Sequence, residues 1–113
     1  MAKGNAESVA ITRGTSNVFE DLGYPDAAER QAKLRLAHAL NQVLDRRGLT
    51  QAATAKVLGL TQPKVSALCN YKLAGFSVER LMTLLTILDQ DVEIVVRHKP
   101  RSRGAARIRV VAA

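Results

Sequence analysis

Residues 49–70, LTQAATAKVLGLTQPKVSALCN, constrain what this chain can fold into more than any other stretch. Leucine followed by Thr-Gln occurs twice, at Leu49-Thr50-Gln51 and at Leu60-Thr61-Gln62. A threonine hydroxyl accepts a hydrogen bond from one of the unpaired N–H groups that open a helix, so each threonine marks a helix start. Between them stands Gly59, where a left-handed turn is cheap only for glycine. The spacing predicts a helix from Thr50 to about Leu58, a sharp turn, and a second helix from Thr61, with Pro63 tolerated in its first turn. Ala55 is small enough to let two helices cross closely, and Leu58 faces inward. Val65, Leu68 and Cys69 form the inner face of the second helix.

The flanks supply the elements that such a pair needs around it. Pro25 and Asp26 open a longer helix, with Asp26 as cap and Glu29 three residues on. Leu36, Leu40, Val43 and Leu44 recur at i, i+4, i+7 and i+8 and make one apolar stripe. Arg46 and Arg47 suit the negative end of its dipole, and Gly48 supplies a left-handed stop. Tyr71 to Phe76 is a loop. Ser77 caps a further helix with Leu81, Leu84, Leu85 and Leu88 on its buried side. The period then drops to two: Val92, Ile94 and Val96 share one face and Glu93 and Arg97 the other, as in a β-strand. A lone strand is not stable. It must pair with residues 106–111, with its counterpart in a second chain, or with another protein. Residues 99–104 form a basic turn or linker. Before residue 25 there is no helical period, only an arm with an apolar patch at Val18, Phe19 and Tyr24.

Charge is arranged rather than scattered. The net charge is +7 over 113 residues. From Arg46 to Val78 there are Arg46, Arg47, Lys56, Lys64 and Lys72 and no acid. From Ile94 onward there are six basic side chains and again no acid. Basic side chains displace condensed counterions from phosphates, so a polyanion is the natural partner; solubility alone is the blander explanation. Aromatic residues are 4% of the chain, which leaves no stacking platform for single-stranded RNA. No apolar run approaches the roughly 18 residues of a membrane span, and the start lacks a signal-peptide stretch. A single cysteine makes no internal disulfide, and no Cys/His cluster has metal-ligand spacing. His38 and His98 are isolated, Cys69 is a small inward hydrophobe, and Asp89, Asp91 and Glu93 form a solvated turn. No nucleophile, paired carboxylates or phosphate-cradling glycine loop can be assembled. The expectation is a non-enzyme of the cytoplasm, associated with the nucleoid, without cofactor or metal.

The two short helices have the form of a helix-turn-helix, which presents the start of its second helix to the DNA major groove. Gln62, at the first helical position, can donate and accept at once, matching the N6/N7 edge of adenine. Lys64 reaches guanine acceptors or a phosphate. Thr61 and Ala67 can touch thymine methyl groups, and Ser66 a base or a phosphate. Gln51, at the start of the preceding helix, is set to hold a phosphate, as helix N-termini do. Asn70, Tyr71 and Lys72 can grip the backbone on the far side; such contacts orient without reading sequence.

On these residues the chain resembles the Xre/Cro family of helix-turn-helix regulators, typified by lambdoid phage repressors, over about residues 34–88. In that family the position matching Gln51 binds phosphate and can buttress the glutamine matching Gln62. The positions matching Gln62, Lys64 and Ala67 face bases, and the one matching Asn70 faces phosphate. Thr54 departs from the family's usual Leu, Ile or Val, and Cys69 from a frequent glutamate. Residues 17–27 and 91–96 further resemble HigA-like antitoxins, which are encoded beside a RelE/HigB-type toxin that cleaves messenger RNA.

The resemblance implies a mainly α fold: a lambda-repressor-like helical bundle with a helix-turn-helix, plus a C-terminal β-strand extension. The expected division is an N-terminal arm (1–24), a DNA-binding domain (25–90), and a strand with a basic tail (91–113). The expected function is a sequence-specific repressor or autoregulator that binds a double-stranded operator as a homodimer. The alternative is an antitoxin whose DNA binding serves autoregulation, with a toxin protein as partner.

Overall fold

The computed structural model describes residues 26–112, so the N-terminal arm and its apolar patch lie outside the described residues. Four helices follow one another: α1 (Asp26–Arg47), α2 (Gln51–Leu58), α3 (Gln62–Cys69) and α4 (Val78–Ile87). Each boundary has a local cause. Thr50 Oγ1 accepts from the Ala53 N–H at 3.1 Å, Thr61 Oγ1 from Lys64 at 3.4 Å, and Ser77 Oγ from Arg80 at 2.9 Å. Those are three of the four caps expected from the sequence. The α1 helix begins at Asp26, whose side chain is not among those described.

The C-terminal ends share one device. After each helix a residue turns left-handed, and the next N–H reaches back to the last full turn. Gly48 (φ 65°) and Gly59 (φ 68°) do this where glycine was expected. Tyr71 (φ 60°) and Asp89 (φ 64°) do the same without being glycine, at a conformational cost of about 1 kcal/mol each. The bonds Lys72 N–H to Ala67 O (2.8 Å) and Gln90 N–H to Leu85 O (3.0 Å) close these two turns.

The core is the contact of α1 with α4, sealed by α3. Leu36, Leu40, Val43 and Leu44 of α1 meet Leu81, Leu84, Leu85 and Leu88, and Leu68, Leu73 and Phe76 complete the cluster. Burying one such side chain is worth about 1.5–3 kcal/mol, so this aliphatic set is sufficient without large aromatics. Arg47 ties the far ends of the two long helices together. Its Nη2 donates to the Leu88 carbonyl at 2.9 Å and to Asp89 Oδ2 at 3.3 Å.

The strand expected over 92–97 is not formed within the single chain. Among the described residues no ladder hydrogen bond joins 91–98 to 106–112. The reason lies in where the second leg goes. The chain turns at Pro100–Arg103 (Arg103 N–H to Pro100 O, 3.2 Å), and Ile108 and Val110 then settle on the helical core. Arg35 Nη1 donates to the Val110 carbonyl at 2.9 Å. The leg that could have paired with 92–97 is held on α1 instead.

Candidate nucleic-acid interface

Alternation of buried and exposed positions along α3 builds the site. Val65 and Leu68 are fully buried and lock the helix onto the core. Thr61, Gln62, Pro63 and Lys64, its opening turn, are exposed. Ser66 lies one turn after Gln62 on the same side and is half-buried. Ala67 is half-buried against the core. The threonine hydroxyl at 61 is engaged as the cap, which leaves its methyl group for apolar contact. Gln51 is exposed at the first position of α2. Thr50 and Thr61 already take the N–H groups of Ala53 and Lys64, and Pro63 has none to give, but neither first turn contains an acid, so the positive ends of both helix dipoles are uncompensated.

Three expected contact residues are already engaged within the chain. Lys64 Nζ donates to the Gly75 carbonyl at 3.0 Å and stands 5.0 Å from the centre of the Phe76 ring. It braces the α3–α4 loop, with two ammonium N–H groups left over. Asn70 Nδ2 donates to the Ser66 carbonyl at 2.8 Å and approaches Ser66 Oγ at 3.5 Å, which closes the end of α3. Tyr71 holds its ring in a left-handed backbone position, and its hydroxyl lies 3.3 Å from His38 Nδ1 on α1. Lys72 is exposed.

Comparison with known proteins agrees with this geometry. A helix-turn-helix domain family matches residues 18–97. A solved structure titled "Putative XRE Family Transcriptional Regulator" is 76% identical, with a TM-score of 0.76. The match covers 79% of this chain and 100% of that one. The chain belongs to the Xre family of helix-turn-helix transcriptional regulators. No curated protein matches it. No helix among the described residues is long and apolar enough to cross a membrane.

Several residues that position this regulator's α3 escape sequence reasoning. Asn41 interrupts the apolar side of α1, and its Nδ2 donates to the Leu68 carbonyl at 3.2 Å, pinning the end of α3. The signal was there, as an amide between Leu40 and Val43. Gly75 and Phe76 serve Lys64, a partnership across eleven residues that no local spacing announces. Cys69 is half-buried, and burial, helped by the Asp45 carboxylate, raises its thiol pKa above the ordinary value. That environment suppresses thiolate and suits a packing role.

Proposed function

We propose that this Xre-type regulator binds a specific double-stranded operator as a homodimer and represses the promoter it occupies, including its own. The first turn of α3 enters the major groove. Gln62 reads adenine, Thr61 and Ala67 contact thymine methyls, and Ser66 and the spare donors of Lys64 reach bases. Gln51, Asn70, Tyr71 and Lys72 hold phosphates on either side. One observation carries this reading: an exposed, polar, acid-free turn stands on a helix whose other side is fully buried. Two such helices about 34 Å apart would meet successive major grooves.

The test is a base-by-base scan. Gln62→Ala should relax discrimination at one base pair per half-site by about 1–3 kcal/mol and leave the others unchanged. A Gln62→Ala/Lys64→Ala protein with wild-type discrimination would sink the assignment.

A second reading, neutralisation of a toxin, is favoured by the exposed apolar row at Ile94, Val95 and Val96. It predicts that a small basic protein encoded next to this gene co-purifies with the chain. Deleting residues 1–24 then tests the arm: intact partner binding would exclude it as the contact.

A further inference from the structure

A second surface has the properties of an unfilled sheet edge. Ile94, Val95 and Val96 are 57%, 63% and 72% exposed, three consecutive β-branched residues in the open. Val92 just before them is packed against the core and anchors the segment. Among the described residues, no backbone group of 91–98 makes a backbone hydrogen bond. Unpaired N–H and C=O groups beside β-branched side chains form a template for another strand.

We propose that residues 91–99 pair antiparallel with the same segment of a second copy, about a two-fold axis through Val95. This deepens the homodimer reading above and rests on it. The charges choose both the occupant and the register. With the axis at Val95, Glu93 lies opposite the partner's Arg97 and Asp91 opposite the partner's Lys99. Symmetry repeats each pair, so every charged side chain of the segment meets its opposite. Ile94 faces the partner's Val96, and the apolar row that begins at the anchored Val92 continues across the interface. Lys99 keeps donors for this, since its ammonium gives only one hydrogen bond, to the Arg103 carbonyl at 3.0 Å.

Other registers fail on the same residues. A slip of one pairing position sets the apolar row of one copy beside the charged row of the other. An axis at Ile94 keeps a charge pair, Asp91 with Arg97, but leaves Glu93 against Val95 and draws Asp89, already tied to Arg47, into the strand. An axis at Val96 keeps a charge pair, Glu93 with Lys99, but leaves Arg97 against Val95 and opposes Val92 to Pro100, inside the turn. A self-complementary strip of this kind is what an isologous two-fold contact requires.

The experiment is sedimentation equilibrium of the full chain without DNA, at low salt. Wild type should be dimeric at micromolar concentration. Glu93→Arg should raise the dimer dissociation constant roughly tenfold, because both symmetric pairs turn from attraction to repulsion. Adding Arg97→Glu in the same chain should return it to near the wild-type value. Both residues are exposed in the single chain, so neither change threatens folding. A monomeric wild type, an unaffected Glu93→Arg dimer, or a double reversal that does not recover would each overturn the proposal. The last two would leave the homodimer standing and overturn only this interface, whereas a monomeric wild type would remove the homodimer as well; none touches base reading by α3, since no residue of α2 or α3 is altered and no DNA is present.

Discussion

Lys64 offers the most informative single perturbation, because its two roles separate energetically. In the free protein its ammonium holds the Gly75 carbonyl at 3.0 Å and lies over the Phe76 ring at 5.0 Å. The side chain is exposed, so each contact is modest: about 1 kcal/mol for the hydrogen bond and about 0.5–1 kcal/mol for the ring. The two share one ammonium and do not add fully, so Lys64→Ala should cost about 1–1.5 kcal/mol. For a domain of this size that lowers the melting temperature by several degrees, followed by far-UV circular dichroism. Gly75→Ala probes the same contact from the other side. A Cβ there would stand 2.8 Å from Nζ, so the flexible ammonium must shift from its present position on the carbonyl. Gly75→Ala should therefore destabilise wild type but be nearly silent in Lys64→Ala. If Lys64→Ala melts with the wild type, or if the two changes add in full, the brace carries no energy and the reasoning is refuted.

Other expectations follow from single side chains. Thr54 is 2% exposed, the one buried polar residue among those described, and Thr54→Val should stabilise the fold by about 1 kcal/mol. A lower urea midpoint in that variant would mean that the hydroxyl has a partner worth keeping. Gly59→Ala meets no atom within 4 Å, so its cost is purely the left-handed backbone at φ +68°; about 1 kcal/mol of lost stability is expected, and none would show that the turn relaxes. The raised pKa of Cys69 favours its neutral form in the folded chain. That contribution is complete below the ordinary thiol pKa, near 8.5, and is lost as pH rises through the higher folded value. The urea midpoint should fall more steeply above about pH 8.5 for wild type than for Cys69→Ala, and parallel curves would contradict it.

What was legible in the sequence is what local chemistry decides. Thr50, Thr61 and Ser77 each cap the helix expected of them, because a cap needs only a hydroxyl and an N–H three residues away. Gly48 and Gly59 stop their helices for an equally local reason. The aliphatic stripes of α1 and α4 are buried as their periodicity requires. Contacts between distant segments were not legible. The Lys64–Gly75 brace, the Asn41–Leu68 bond and the docking of Val110 against Arg35 each join residues through the tertiary fold. At Tyr71 and Asp89 the helices stop where a loop and a turn were expected, but the left-handed backbone there was not legible, because its sequence signal is glycine. The strand pattern at 92–97 names a preference, but whether it becomes a strand depends on a partner outside the chain.

The central claim is that α3 reads DNA sequence. Its most direct test is fluorescence anisotropy of the full chain on the duplex just upstream of its own gene and on a scrambled duplex, at two salt concentrations. The account predicts tight binding to the first that persists at the higher salt, and weak binding to the second that collapses with salt, because phosphate contacts alone release counterions. Equal affinities with equal salt slopes on the two duplexes would contradict it and leave only the basic charge at work.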